Sequence, residues 1–138
     1  MSTPPLTVAE LQERLGHSQF IEFLGLTVIE ANPELQRVTM TLSMRREFER
    51  GKDSGQWHGG PIAAVIDTVG DYALVMMLGR PLPTVNFRVD YVRPAINTAL
   101  TATARVRRAG KTIGVVDVDV IDDSGNLVAV GRASYATG

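Results

Sequence analysis

The apolar positions of the chain recur with two different periods, and the changes of period mark out its elements. Thr7 to Gly16 places Leu11 and Leu15 on one helical face, with Thr7 as N-cap, Glu10 three residues later as capping-box partner and Gly16 as the stop. This reads as a short peripheral helix, a lid. Phe23 to Ala31 and Leu35 to Ser43 read as two strands joined around Asn32-Pro33-Glu34, the second alternating Val38, Met40 and Leu42 against Arg37, Thr39 and Thr41. A polar loop, Arg45 to Trp57, leads to His58-Gly59-Gly60 and a helix with Pro61 in its first turn, where a missing N–H costs nothing. That helix is apolar almost all round to Leu78, so it must be buried on most sides, and Gly79-Arg80-Pro81-Leu82-Pro83 ends it.

The second half of the chain carries strand signal throughout. Val85, Phe87, Val89 and Tyr91 alternate with Asn86, Arg88 and Asp90, and further runs span Thr98 to Arg107, Thr112 to Ile121 and Leu127 to Ala136. Arg108-Ala109-Gly110-Lys111 and Asp122-Asp123-Ser124-Gly125-Asn126 are hairpin turns, which leave no room for parallel crossovers. The expected architecture is α+β: an antiparallel sheet of five to six strands curled around one long helix.

Composition narrows the function classes more than the fold. A chain of 138 residues is one domain by length and large enough for a real core; only Met1 to Pro5 reads as an unfolded tail. Fourteen basic and fifteen acidic residues are spread along the chain, so no basic face is expected and nucleic acid is not an expected partner. The absence of cysteine excludes disulfides, thiolate metal sites and a cysteine nucleophile, and two histidines, His17 and His58, make a metal site unexpected. The start MSTPPLTVAE has neither the basic opening nor the apolar run of a secretory signal, which points to a cytoplasmic protein. Pro61 to Leu78 approaches membrane-spanning length, but Asp67, Gly70 and Asp71 near its middle argue against a membrane partner.

The candidate chemistry lies in WHGGPIAAVIDTVGDYAL. Two glycines open a helix whose first N–H groups and positive dipole end are unsatisfied, and with no side chains there a carbonyl can approach the backbone closely. That makes an oxyanion site, and one donor aimed at a developing oxyanion is worth about 10²–10³ in rate. Asp67 sits about two turns into an otherwise apolar helix, either pairing with a buried partner or doing chemistry, and the Gly-Gly start favours chemistry. Asp71 is one turn further on the same face, able to share the site, reach solvent or pair across an oligomer interface. His58 either lines the pocket or shapes the loop, and His17 reads as a surface residue. Ala109-Gly110-Lys111-Thr112 imitates a phosphate loop but has Arg105 where a glycine is needed, and Gly51-Lys52-Asp53-Ser54-Gly55 is no nucleophile elbow.

HGGPIAAVIDT followed by TVNFRVDYVRPA resembles the phenylacetate-pathway (PaaI-like) type of hotdog-fold acyl-CoA thioesterase, and the resemblance runs more loosely from Leu24 to Tyr135. It implies a single hotdog domain over residues 1–138, with 1–20 as tail and short helix, acting as a homodimer or homotetramer on an acyl-CoA. Carried over, it makes Asp67 the catalytic carboxylate, as general base or nucleophile, and Gly59 the N–H donor to the thioester carbonyl. It places Thr84 near the reaction, serving the Asp67 of a neighbouring chain, and His58, Gly60, Asp71 and Arg93 around the substrate. Lys52 departs from the pattern, standing where many relatives carry an orienting Asn or Gln, with Asp53, Ser54 or Gln56 available for that polar role. Asp71 stands where some relatives have Thr. One carboxylate and one donor suffice for a thioester, because a thiolate leaves without strong protonation; no cofactor is implied beyond the coenzyme A of the substrate. Ile62, Val65, Ile66, Leu74, Met76 and Met77 are candidates for an acyl pocket. Among Arg45, Arg46, Arg50, Lys52, Arg93, Arg108 and Lys111, some basic residue is expected to meet the coenzyme A phosphates. The alternative is a non-catalytic acyl-CoA binding or sensing module on the same fold.

Overall fold

The computed structural model describes residues 3–138. The expected unfolded start lies partly outside the described residues; Thr3 to Pro5 are exposed, and Leu6 is already buried, its N–H donating to the Met76 carbonyl. Helix α1 spans Val8–Leu15 with the Thr7–Glu10 capping box formed in both directions and Leu11 and Leu15 buried. It is a packed element rather than a lid: Arg14 donates to the Gly79 carbonyl, and Gln12 bonds the backbone of Leu26 and Val28. A second short helix, α2 (Gln19–Leu24), takes in Phe23 and Leu24, which were expected to begin the first strand. Ser18 caps it and Gly25, in the left-handed region at φ 74°, stops it, so strand β1 begins only at Thr27 and runs to Asn32. The turn to β2 (Arg37–Leu42) is Pro33 to Gln36, shifted past the expected one, and leaves Leu35 exposed.

After a short 3-10 turn at Arg46–Phe48 comes α3 (Gly59–Leu78), then β3 (Thr84–Tyr91), β4 (Leu100–Ala109), β5 (Ile113–Ile121) and β6 (Leu127–Ala136). The six strands form one sheet in the order β1-β2-β4-β5-β6-β3, with every neighbouring pair antiparallel. The register explains how the helix seats on it. On the inner face Val118 of β5 lies between Ala104 of β4 and Gly131 of β6, so the flanking strands offer small residues where α3 passes. A Cβ on Gly131 would stand 2.5 Å from Ile66, and one on Gly114 2.6 Å from Leu74. The apolar character of α3, long enough by composition to cross a membrane, is thereby accounted for: 61% of its most apolar window is buried inside the fold. Val65, Ile66, Leu74 and Met76 belong to this core rather than to an acyl pocket, because the sheet covers them.

The outer face of the sheet carries the polar half of the alternation. Arg37, Arg105, Asp117, Arg132 and Arg88 stand side by side across five strands, and Asp117 accepts from Arg132 at 2.6 and 2.9 Å. The Arg132 guanidinium holds the Asp117 carboxyl below its ordinary range. Strand β3 is different: it lies at the sheet edge, and Val85, Phe87 and Tyr91 are 58%, 39% and 52% exposed, so of its apolar alternation only Val89 packs against this chain's core.

Candidate active site

The loop before α3 is held in place by the core it touches. The Phe48 and Trp57 rings stack 5.5 Å apart, the Trp57 indole donates to the Thr98 carbonyl, and the His58 N–H donates to the Phe48 carbonyl. Gly55, at φ 67°, gives its N–H to the Glu49 carboxylate at 2.7 Å, which closes the loop. His58 is the N-cap of α3: its Nδ1 accepts from the Gly60 N–H at 3.3 Å. This resolves the two roles considered for His58 into both, since it also lines a cleft of about 380 Å³ with Arg50, Gln56, Gly59, Ile62, Tyr91 and Arg93. Gly60 has its N–H committed to the cap and does not line the cleft. The Gly59 N–H has no hydrogen-bond partner among the described residues.

Tyr91, which sequence reasoning left as one more apolar strand position, holds the helix start from the other side. Its hydroxyl donates to the Gly59 carbonyl at 2.6 Å, and its ring lies where a Cβ on Gly59 would stand, 3.2 Å away. Any larger residue at 59 meets that ring. Of the basic residues considered for phosphate contact, Arg50 and Arg93 line the cleft, whereas Lys52 lies over a separate hollow with Arg46, Glu47, Glu49 and Asp53. Gln56 is the polar loop residue that reaches the cleft; Asp53 and Ser54 do not line it. Of the apolar candidates, Ile62 lines it too.

Asp67 is half-buried and held from two strands. Thr84 Oγ1 donates to Asp67 Oδ1 at 2.8 Å, and the buried Tyr135 hydroxyl donates to the Asp67 carbonyl at 2.7 Å. Thr84 therefore serves the Asp67 of its own chain, not that of a neighbour, because β3 starts beside the middle of α3. Asp67 opens into a second hollow, about 280 Å³, with Ser18, Ala64, Thr68, Asp71 and Tyr72. Asp71 Oδ1 is buried and has no hydrogen-bond partner among the described residues. Burial, and secondly the Asp67 charge, push its carboxyl up to about 7.

Gly59 and Asp67 thus open into different hollows, and the reason is helical geometry. Eight residues at about 1.5 Å each separate them by about 12 Å along α3. At that separation the unsatisfied Gly59 N–H and the Asp67 carboxylate of one chain are too far apart to meet one carbonyl.

The family model described as the thioesterase superfamily matches residues 54–129, from the loop before Gly59 to the start of β6. This chain belongs to the thioesterase superfamily. Its relatives include the acyl-coenzyme A thioesterase PaaI of Escherichia coli, 32% identical over 79% of this chain and 75% of that protein. Another is the human acyl-coenzyme A thioesterase 13, 31% identical over 82% of this chain and 81% of its own. Among solved structures, a thioesterase-superfamily protein superposes with a TM-score of 0.87 at 34% identity, covering 94% of this chain and 96% of that one. The E. coli PaaI structure superposes with a TM-score of 0.77 at 25% identity, covering 96% and 97%. The fold of this thioesterase is accordingly the PaaI-like hotdog, a six-stranded antiparallel sheet around one long helix.

Proposed function

We propose that this thioesterase hydrolyses the thioester of a medium-sized or aromatic acyl-CoA at a site shared between two protomers, with Asp67 from one and the Gly59 N–H from the other. The observation that carries the proposal is the pair of half-sites about 12 Å apart on one helix. If two copies pair their α3 helices antiparallel about a two-fold axis, the Gly59 of each comes level with the Asp67 of its partner, and both hollows become complete sites. The dimer, alone or doubled into a homotetramer, is the active form on this proposal.

In each site the Gly59 N–H takes the thioester oxygen while Asp67 acts on its carbon. As general base, Asp67 takes a proton from water as the water oxygen bonds to the carbonyl carbon; the tetrahedral oxyanion then collapses and breaks the C–S bond. As nucleophile, it forms an acyl anhydride with loss of thiolate, which water opens. Either way the thiolate leaves and is protonated by solvent, and coenzyme A enters only as part of the substrate. Thr84 points the carboxylate, and Tyr135 fixes the helix turn that carries it. Arg50 and Arg93 flank the Gly59 cleft, where the phosphates of the coenzyme are best met.

The test is thiol release from a panel of acyl-CoAs. Asp67→Asn and Gly59→Val should each lose activity by 10² or more. Mixed and allowed to exchange subunits, the two inactive variants should recover about a quarter of the wild-type rate, since about half the dimers are mixed and each has one intact site in two. Wild type that binds acyl-CoA without releasing thiol would favour the binding module. Recovery of no activity in dimers shown to have exchanged would remove the shared site.

A further inference from the structure

Asp71 Oδ1 finds no partner in its own chain, where the cations and the serine beside it are engaged elsewhere. Arg14 donates to the Gly79 carbonyl, His17 pairs with Glu13, Ser18 caps α2 and Thr84 serves Asp67. Arg14, His17 and Ser18 line the two hollows into which Asp71 opens, together with Thr68 and the Tyr72 ring. A buried carboxylate oxygen left unpaired is costly. Its complement must come from outside the chain.

The two-fold arrangement proposed above says where from, and the present inference rests on it. With Gly59 level with the partner's Asp67, the axis passes beside residue 63, and Asp71 falls four residues, about 6 Å, beyond the start of the partner's α3. The loop Gly51 to Gln56 leads into that helix start. The loop carries one cation, Lys52, which is exposed and makes no ion pair among the described residues. Asp53, Glu47 and Glu49 line the same hollow, but none is within ion-pair distance of it, and Glu49 is spent on the Gly55 N–H. We infer that Lys52 of one protomer forms an ion pair with the partner's Asp71, a positioning contact that clips the loop over the edge of the partner's Asp67 hollow. The pair neutralises Asp71, so that Asp67 is the uncompensated negative charge in each site. It also explains why a lysine can stand in this loop without lining its own chain's cleft: it meets the partner's half of the shared site.

The chain suits a direct test, because Lys52 and Lys111 are its only lysines. A carbodiimide joins a carboxylate to an amine only where the two are in contact. Applied to Lys111→Arg, it should yield a covalent dimer on a denaturing gel and an isopeptide between residues 52 and 71 by mass spectrometry; Asp71→Asn should remove both. Within one chain Lys52 and Asp71 line separate hollows that share no residue, so the link reports on contact between chains. In a parallel measurement Lys52→Gln should lower kcat about tenfold with a smaller change in KM, Lys52→Arg should restore it, and Asp71→Asn should add nothing to Lys52→Gln. A protein that sediments as a monomer removes the shared site and this pair together. A dimer whose inactive variants complement each other, yet which gives no 52–71 link, overturns the pair alone.

Discussion

Tyr135 and Gly70 are built for each other, and changing both should do less harm than changing either. The Tyr135 hydroxyl is fixed by its bond to the Asp67 carbonyl at 2.7 Å, and the side chain is fully buried, so it cannot retreat. A Cβ added at Gly70 would stand 2.6 Å from that oxygen. Overpacking of this kind costs roughly 2 kcal/mol, while Gly→Ala inside a helix returns about 1, so Gly70→Ala should destabilise by about 1 kcal/mol. Tyr135→Phe loses one buried hydrogen bond, also about 1 kcal/mol. With the oxygen gone, the atoms nearest the new methyl are Val118 Cγ2 at 3.4 Å and the ring Cζ at 3.5 Å, ordinary contacts. The helix gain then survives, and the double variant should lie within roughly 0.5 kcal/mol of wild type, a coupling of about 2 kcal/mol. Urea unfolding followed by circular dichroism, at one fixed protein concentration, measures it. If the double variant is instead about 2 kcal/mol below wild type, the effects add, and the close approach of helix and tyrosine is not what glycine at 70 is for.

Three further outcomes follow from the site. Thr84→Val removes a hydrogen bond to a carboxylate and should lower kcat by about 10- to 100-fold with little change in KM; Thr84→Ser should recover most of it. Arg50→Ala and Arg93→Ala should raise KM for acyl-CoAs several-fold but leave thioesters of pantetheine, which lack the nucleotide phosphates, nearly unchanged; equal effects on both would place the phosphates elsewhere. Lys52→Gln should make stability depend on pH. With no cation opposite, the Asp71 carboxyl faces Asp67 and Tyr72 of α3, Glu13, Arg14 and His17 at α1, and Tyr135 of β6, and titrates near 7 against an ordinary 3.8. Between those values the folded form holds a proton that the unfolded form has lost, so the variant should lose stability as pH rises from about 4 through 7 and level off above. Melting temperatures from pH 4.5 to 8.5 check this; identical profiles for variant and wild type would contradict it.

What the sequence made legible were features whose cause is local. The Thr7–Glu10 box, the glycine stop at Gly79, the inward face of Val38, Met40 and Leu42 and the hairpins at Gly110 and Gly125 each depend on residues within a turn or a strand of one another. Helix α2 escaped because six residues hold too little periodicity to outweigh the β-like composition around them, although Ser18 and Gly25 bracketed it with a cap and a stop. Tyr91 and Tyr135 escaped for a different reason. In an alternating strand each reads as an apolar position, and the partners that make their hydroxyls matter, Gly59 and Asp67, lie 32 and 68 residues away. Asp67 and Gly59 themselves were visible as a carboxylate and a glycine out of keeping with their helix; that Thr84 bonds Asp67 within one chain depended on where β3 meets α3, which only the sheet order shows.

That order also sets a sequence of events during synthesis. Strand β3 leaves α3 at Thr84, yet its partner in the sheet is β6, the last strand of the chain. Until residues 127–136 have been made, Thr84 has no strand beside it and Asp67 lacks the hydroxyl of Tyr135, while β1, β2, β4 and β5 can already pair in order. The apolar edge of β3 is meanwhile open to any other strand, the usual route to aggregation of a nascent chain. A stop codon that removed only β6 would thus dismantle the surroundings of a carboxylate sixty residues upstream.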